Sequence, residues 1–247
     1  MVHPVKFFEK GDKPLEIVTT RQWYIANGAK DPELASRLLE RGKQVAFHPD
    51  FMRVRYENWV NGLSGDWLIS RQRFFGVPIP VWYPLDEHGE PLEGEVLAPE
   101  KSSLPVDPSS QAPPGFSEDQ RGKPGGFVGE VDIMDTWATS SLTPQLAGGW
   151  EVDPELFDLV FSYDLRSQGQ DIIRTWLFSS VLRAELEHGT IPWKNAGGSI
   201  VARSPLPKRA SEAATTALHA SAPCTSAVTS WAKVFCARRS WGAALWR

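Results

Sequence analysis

The most informative alternation of apolar and polar positions lies between Leu156 and His188. Leu156, Phe157, Leu159, Val160, Phe161 and Tyr163 form an apolar run that predicts a largely buried strand. Beyond it, Ile173, Trp176, Leu177, Val181 and Ala184 recur at helical spacing. The period changes at Gly169 and Asp171. Strand followed by helix is the unit of an open α/β sheet, whose ligands sit in the crevice at the carboxyl ends of the strands. A glycine there lets a ligand approach the backbone, and a carboxylate opening the helix accepts hydrogen bonds from sugar hydroxyls. Gly169 as a plain turn and Asp171 as a helix cap are the simpler assignments on local residues alone.

Upstream, Val5 to Phe8 and Leu15 to Val18 read as two short strands able to pair across the charged turn Glu9 to Pro14. Asp31-Pro32 supplies a cap and a proline at the first helical position, Leu34, Leu38 and Leu39 form one face, and Gly42 is a natural stop. A second helix is predicted from about Met52 to Leu63, with Val54, Arg55, Trp59 and Val60. Arg71, Gln72 and Arg73 follow, flanked by Trp67 and Phe74-Phe75. Such a cluster suits phosphate or the end of a nucleic-acid strand. A solvated basic loop before an edge strand that tolerates Pro78 and Pro80 is the plainer reading. Residues 84–126 are rich in Pro, Gly, Ser and acidic side chains without sustained period, which predicts a long irregular insert. Asp132 to Ser141 reads as a capped loop leading into a helix through Leu142. From Gly197 onward Glu212 is the only acidic residue, and the Ala, Ser, Arg and Trp bias predicts a poorly ordered basic tail or an out-of-frame one.

Composition narrows this picture. The 247 residues are 41% hydrophobic and 23% charged, ordinary for one large or two small globular domains. A formal charge of -4 gives no general basic footprint, so nucleic-acid binding would need a local patch. Cys224 and Cys236 are the only cysteines, which excludes a disulfide framework and a four-cysteine zinc site. No apolar stretch approaches the ~20 residues of a membrane span, and the first residues lack the core of a secretory signal. A cytoplasmic location is therefore expected. With 11 Trp against 4 Tyr, the aromatic content leans to indoles, most of them suited to core packing.

Three ordered motifs carry a family resemblance. The run Trp67-Leu68-Ile69-Ser70-Arg71-Gln72-Arg73 with Gly76-Val77-Pro78-Ile79-Pro80 resembles the class I aminoacyl-tRNA synthetases of the valine, isoleucine and leucine group. Asp132-Ile133-Met134-Asp135-Thr136-Trp137 through Ser141 is similar to a second stretch of that family, and Gly169-Gln170-Asp171-Ile172-Ile173 to its ribose-binding stretch. Phe74-Phe75 and Val81-Trp82-Tyr83 look like the valine-charging members, and the start Val5 to Lys10 matches too. The resemblance implies an α/β fold, the second half of a Rossmann-like class I synthetase catalytic domain, with the insert at about 84–126. Residues 1–25 would end an editing-domain insertion, residues 26–196 form the partial catalytic domain, and residues 197–247 the atypical tail.

The resemblance also implies function. Gly169 and Asp171 would hold the adenosine ribose of ATP, Trp137 and Ile172 would wall the valine pocket, and Arg71, Gln72 and Arg73 would touch tRNA. The implied reaction activates valine with ATP, assisted by Mg2+, and transfers it to tRNA-Val. It works by positioning and charge stabilisation and needs no covalent nucleophile. Some relatives carry a cysteine-ligated zinc; the insert has no Cys, so no structural zinc is expected. Ser167 and Gln170 stand where actinobacterial-looking relatives carry proline and histidine. The His-Ile-Gly-His and Lys-Met-Ser-Lys-Ser signatures do not occur. The chain is thus expected to be a monomeric fragment with little activity of its own, an isoleucine- or leucine-type sister and a non-catalytic RNA-binding remnant being the alternatives.

Overall fold

A computed structural model describes Phe7, residues 11–14 and residues 20–199. In chain order its elements are β1 (Tyr24–Ile25), α1 (Pro32–Gln44), β2 (Ala46–His48), α2 (Met52–Asn61), β3 (Trp67–Leu68), β4 (Ser70–Arg71), β5 (Trp82–Pro84), β6 (Phe127–Gly129), β7 (Ile133–Met134), α3 (Thr136–Ser140), α4 (Thr143–Ala147), α5 (Pro154–Val160), β8 (Tyr163–Gly169), α6 (Phe178–His188) and β9 (Trp193–Ser199). A 3-10 turn, Gln170–Ile172, and a π-helical turn, Ile173–Leu177, join β8 to α6.

The site is positioned by a parallel three-stranded sheet in the order β2-β9-β8. The helical stretch between β8 and β9 is their crossover, as parallel pairing requires. Packed against that crossover are α1 and α2. The shared core joins Leu34 and Leu38 of α1, Tyr56 and Val60 of α2, Ile173, Leu177 and Val181 of the crossover, and Phe47, Trp193 and Ala196 of the sheet. Each such aliphatic side chain contributes about 1.5–3 kcal/mol by leaving water. One buried carboxylate locks the layers: Glu185 of α6 takes Nε–H of Arg37 at 2.8 Å and of Arg41 at 2.6 Å, both from α1.

The start of α1 forms as the sequence predicts, with Asp31 Oδ1 accepting from Leu34 N at 3.0 Å and Pro32 at the first position. Its end does not. The helix runs through Gly42 to Gln44, because Gly42 faces the Tyr56 ring and gives that ring room. The apolar run from Leu156 is a second correction, being helix through Val160. Asp153 Oδ1 caps it by accepting from Leu156 N at 3.0 Å, and Pro154 opens it. The strand begins only at Tyr163 and is largely polar. Of the predicted N-terminal hairpin, Phe7 and Pro14 form an antiparallel bridge, while Leu15 to Val18 lies outside the described residues. The expected tail lies outside them too.

The insert is irregular yet folded around two rings. Trp82 Nε1 donates to Gln111 O at 2.7 Å, Arg121 lies 4.9 Å over the Phe127 ring, and β5 pairs with β6. Among the described residues no helix is long and apolar enough to cross a membrane.

Gly42 supplies a test of the core. A Cβ there would stand 2.5 Å from Cε1 of Tyr56, whose hydroxyl is pinned by donating to Leu38 O at 2.9 Å. Alanine ordinarily gains about 1 kcal/mol over glycine inside a helix, whereas overpacking a buried ring costs about 1–3 kcal/mol. Gly42→Ala is expected to lower the thermal midpoint followed by circular dichroism; a raised midpoint would show that the ring gives way.

Candidate functional site

At the carboxyl end of β8 the backbone leaves Gly169 in extended geometry, φ -74° and ψ 147°, which any residue adopts. A Cβ there would meet only Asp171 Oδ1, the end of an exposed side chain that can turn away. Asp171 occupies the middle of the 3-10 turn, is exposed, and makes no capping hydrogen bond. The structure thus departs from the simple cap. Among the described residues its carboxylate has no hydrogen-bond or ion-pair partner, so its lone pairs face solvent at the mouth of the sheet.

Trp176, in the π-helical turn that follows, packs back along the sheet toward the amino end of β9. Its ring stacks on Trp193 of β9 at 5.2 Å with 14° between planes. Arg166 of β8 lies 4.3 Å over the Trp176 ring, and Trp176 Nε1 donates to Ser140 O of α3 at 3.0 Å. That last bond brings α3 to the turn. Trp137 of α3 is 37% exposed and Ile172 half-buried, while the residues after them, Ala138 and Ile173, lie in the common core.

The segment carrying Trp137 is braced from the other side. Asp135 Oδ1 accepts from Trp137 N at 2.7 Å, capping α3, and Asp135 Oδ2 pairs with Arg71. Gln72 donates to Asp132 Oδ2 at 2.7 Å. Pairing of β4 with β7 sets this register, Ser70 opposite Met134 and Arg71 opposite Ile133. Glu130 anchors the approach: its Oε1 accepts from Val131 N and Asp132 N, its Oε2 from Trp23 Nε1 and the Tyr83 hydroxyl. Arg71 and Gln72 are therefore engaged with the protein itself. Arg73 stands out with Phe74 and Phe75, which are 91% and 85% exposed and meet edge to face at 4.7 Å.

An open cleft of about 460 Å³ lies beside Asp171, lined by Arg55, Asn58 and Trp59 of α2 with Gln170, Asp171 and Arg174 of the turn. The sequence reading assigned Arg55 and Trp59 to one helix but gave them no role, and it passed over Arg174. Their spacing was visible; the docking of α2 on the turn, a tertiary event, was not. Gln168 was missed as well. It is 8% exposed beside Gly169, and its Oε1 is buried without a hydrogen-bond partner.

Comparison with known proteins places these residues in context. The model of the family "tRNA synthetases class I (I, L, M and V)" matches residues 9–201. A Valine–tRNA ligase of Thermobifida fusca is 69% identical over 196 residues, 79% of this chain and 22% of that one. One from Leifsonia xyli is 71% identical over 194 residues, 78% of this chain and 22% of the relative. The chain thus spans about a fifth of the length of the curated relatives it matches. A solved ternary complex of Agrobacterium radiobacter K84 agnB2 LeuRS with tRNA and LeuAMS is similar over 60% of this chain at 20% identity, with a TM-score of 0.42.

Asp132 gives the site a pH signature. Burial pushes its pKa above the ordinary carboxylate range, the Gln72 hydrogen bond opposes this, and neighbouring Glu130 adds to the rise. The folded state then holds this proton more tightly than the unfolded chain. Its contribution to stability is present below the unfolded pKa of about 3.9 and is lost as pH rises through the native value. Asp132→Asn keeps an acceptor for Gln72 and carries no charge. In urea titrations its stability relative to the unsubstituted chain is expected to improve between about pH 4 and about pH 7; a constant difference would contradict this account.

Proposed function

This chain belongs to the class I tRNA synthetases, and from that premise we propose that it carries the adenosine seat and amino-acid pocket of a valine–tRNA ligase. In the proposed reaction the valine carboxylate attacks the α-phosphate of ATP, giving valyl adenylate and pyrophosphate. A hydroxyl of the terminal tRNA ribose then attacks the valyl carbonyl and AMP leaves. Asp171 accepts hydrogen bonds from the adenosine ribose, and Gly169 leaves room for the sugar at the backbone. Trp137 and Ile172 form apolar walls against the branched side chain of valine, a rigid indole and an aliphatic suiting that shape. The observation that carries this reading is the unengaged Asp171 carboxylate at the carboxyl end of a parallel strand, with α3 tied to the π-helical turn that follows through Trp176 and Ser140.

Arg73 with the exposed Phe74 and Phe75 offers a cation and two aromatic faces to tRNA-Val, the combination that holds unpaired bases. Arg71 and Gln72 serve it indirectly, by holding Asp135 and Asp132. Mg2+ enters with the phosphates of ATP and is assigned to no side chain, since among the described residues no three of His, Cys, Asp and Glu converge on one point. Such a reaction belongs with translation in the cytoplasm. The sequence given holds neither the His-Ile-Gly-His nor the Lys-Met-Ser-Lys-Ser signature, and the proposed role of these residues is therefore binding, with little or no turnover of their own.

The test is calorimetric titration of the chain with valyl-sulfamoyl-adenosine, a stable analogue of valyl adenylate. Hydrogen bonds to a charged group contribute about 1.5–3 kcal/mol, so Asp171→Asn is expected to weaken binding about tenfold or more. Trp137→Ala is expected to do the same through lost apolar contact. Affinity unchanged in both variants would defeat the proposal, and tighter binding of the isoleucyl analogue would defeat its specificity.

A further inference from the structure

We propose that Arg71 is a positioning residue for the amino-acid pocket, setting where the Trp137 indole stands and so which side chains the pocket admits; this rests on the reading of Trp137 as a pocket wall given above. The indole is carried by α3, whose five residues are too few to hold a helix by themselves, because forming a first turn costs more than its bonds return. Where Trp137 stands is therefore decided by what grips the ends of α3. At the carboxyl end Ser140 O takes Nε1–H of Trp176, and Ala138 is packed in the core. At the amino end the grip is Asp135. Its Oδ1 accepts from Trp137 N at 2.7 Å, so the carboxylate that caps the helix holds the backbone of the very residue that bears the indole.

That carboxylate is itself fixed from β3 and β4. Asp135 N donates to Ile69 O at 2.6 Å, and Asp135 Oδ2 pairs with Nη2 of Arg71. Arg71 cannot follow α3 if the helix shifts, because its Nη1 donates to Leu68 O at 3.1 Å and to Ser70 O at 2.8 Å. A planar guanidinium holds two carbonyls and a carboxylate at once, a fork that an ammonium on a flexible stem does not reproduce. The relay therefore runs from the paired strands β4 and β7, through one guanidinium and one carboxylate, to the peptide nitrogen of Trp137. Asp135 is 7% exposed, so its charge needs this partner. A phosphate reaching Arg71 would have to displace a carboxylate already bound. Pocket selectivity is sensitive to such a relay: one methylene in an apolar pocket is worth about 10- to 200-fold, and side chains have to be held within about 0.5 Å to keep it.

Calorimetric titration of the full chain with valyl- and isoleucyl-sulfamoyl-adenosine reads the preference, and salt titration of tRNA-Val binding counts phosphate contacts. Arg71→Lys keeps the charge and loses the fork, while Asp135→Asn keeps the cap acceptor and loses the ion pair. Each is expected to lower the preference for the valyl analogue about tenfold, the lower end of what one methylene is worth. The double variant is expected to fall no further, since both substitutions break one contact. In Arg71→Gln the slope of log tRNA affinity against log salt is expected to stay unchanged, whereas a lost phosphate contact would flatten it by about 0.7–0.9. Full preference retained in both single variants overturns the proposal, and a flattened slope in Arg71→Gln does so by returning Arg71 to the RNA. Loss of the cooperative circular-dichroism melt in both variants overturns it too, making the pair a contact of the fold only. Trp137→Ala separates the two readings. Binding of the valyl analogue that is absent in the unsubstituted chain, or unchanged in Trp137→Ala, sinks the pocket and the relay with it; weakened binding there, with preference intact in the Arg71 and Asp135 variants, sinks only the relay.

Discussion

One indole joins the parts that have to stay in register. Trp176 is stacked on Trp193, covered by Arg166 and hydrogen-bonded to Ser140. It therefore touches β8, β9 and α3 from a position five residues beyond Asp171. The ring is 5% exposed, so its N–H would be costly to leave unpaired, and the Ser140 carbonyl meets that need. An aliphatic residue could fill the volume but could not hold α3 to the turn. The contact adds to the packing of Ala138 and the Asp135–Arg71 pair, which hold α3 as well.

Much of this was legible in the sequence wherever the signal was local. Asp31-Pro32 began a helix, the apolar period from Ile173 to Ala184 became buried helix, and the change of geometry fell at Gly169. The failures have physical causes. Leu156 to Phe161 reads as a strand because a short apolar run has no decisive period. The neighbouring Asp153-Pro154 repeats the helix-start signal of Asp31-Pro32, and local capping won. Gly42 looked like a stop because glycine usually ends helices, yet here its missing side chain admits Tyr56. That requirement comes from α2 and is invisible to residues 32–44 alone. The same holds for the cleft, built where α2 meets the turn.

The resemblance identified motifs, and the structure distinguishes what the residues within each do. Arg71, Gln72 and Arg73 are consecutive, yet the first two are bonded to Asp135 and Asp132 at the surface while Arg73 is left without a side-chain partner among the described residues. β4 ends at Arg71, so strand alternation does not sort the three. What engages Arg71 is the capping of α3, which places the Asp135 carboxylate within its reach. A basic tripeptide that looks like one nucleic-acid grip is thus mainly a brace with a single outward cation.

The carboxylates divide into those the fold uses and one it does not. Asp132, Asp135 and Glu185 are buried and engaged, each by an amide or a guanidinium. Their lone pairs are spent on the fold, because a buried carboxylate without partners is costly. Asp171 is exposed and engages nothing among the described residues, so its hydration is exchangeable and a sugar hydroxyl can replace water at little cost. A carboxylate that stability has not claimed is one a ligand can claim, and Asp171 stands where β8 ends, in the crevice where an open parallel sheet receives its ligands.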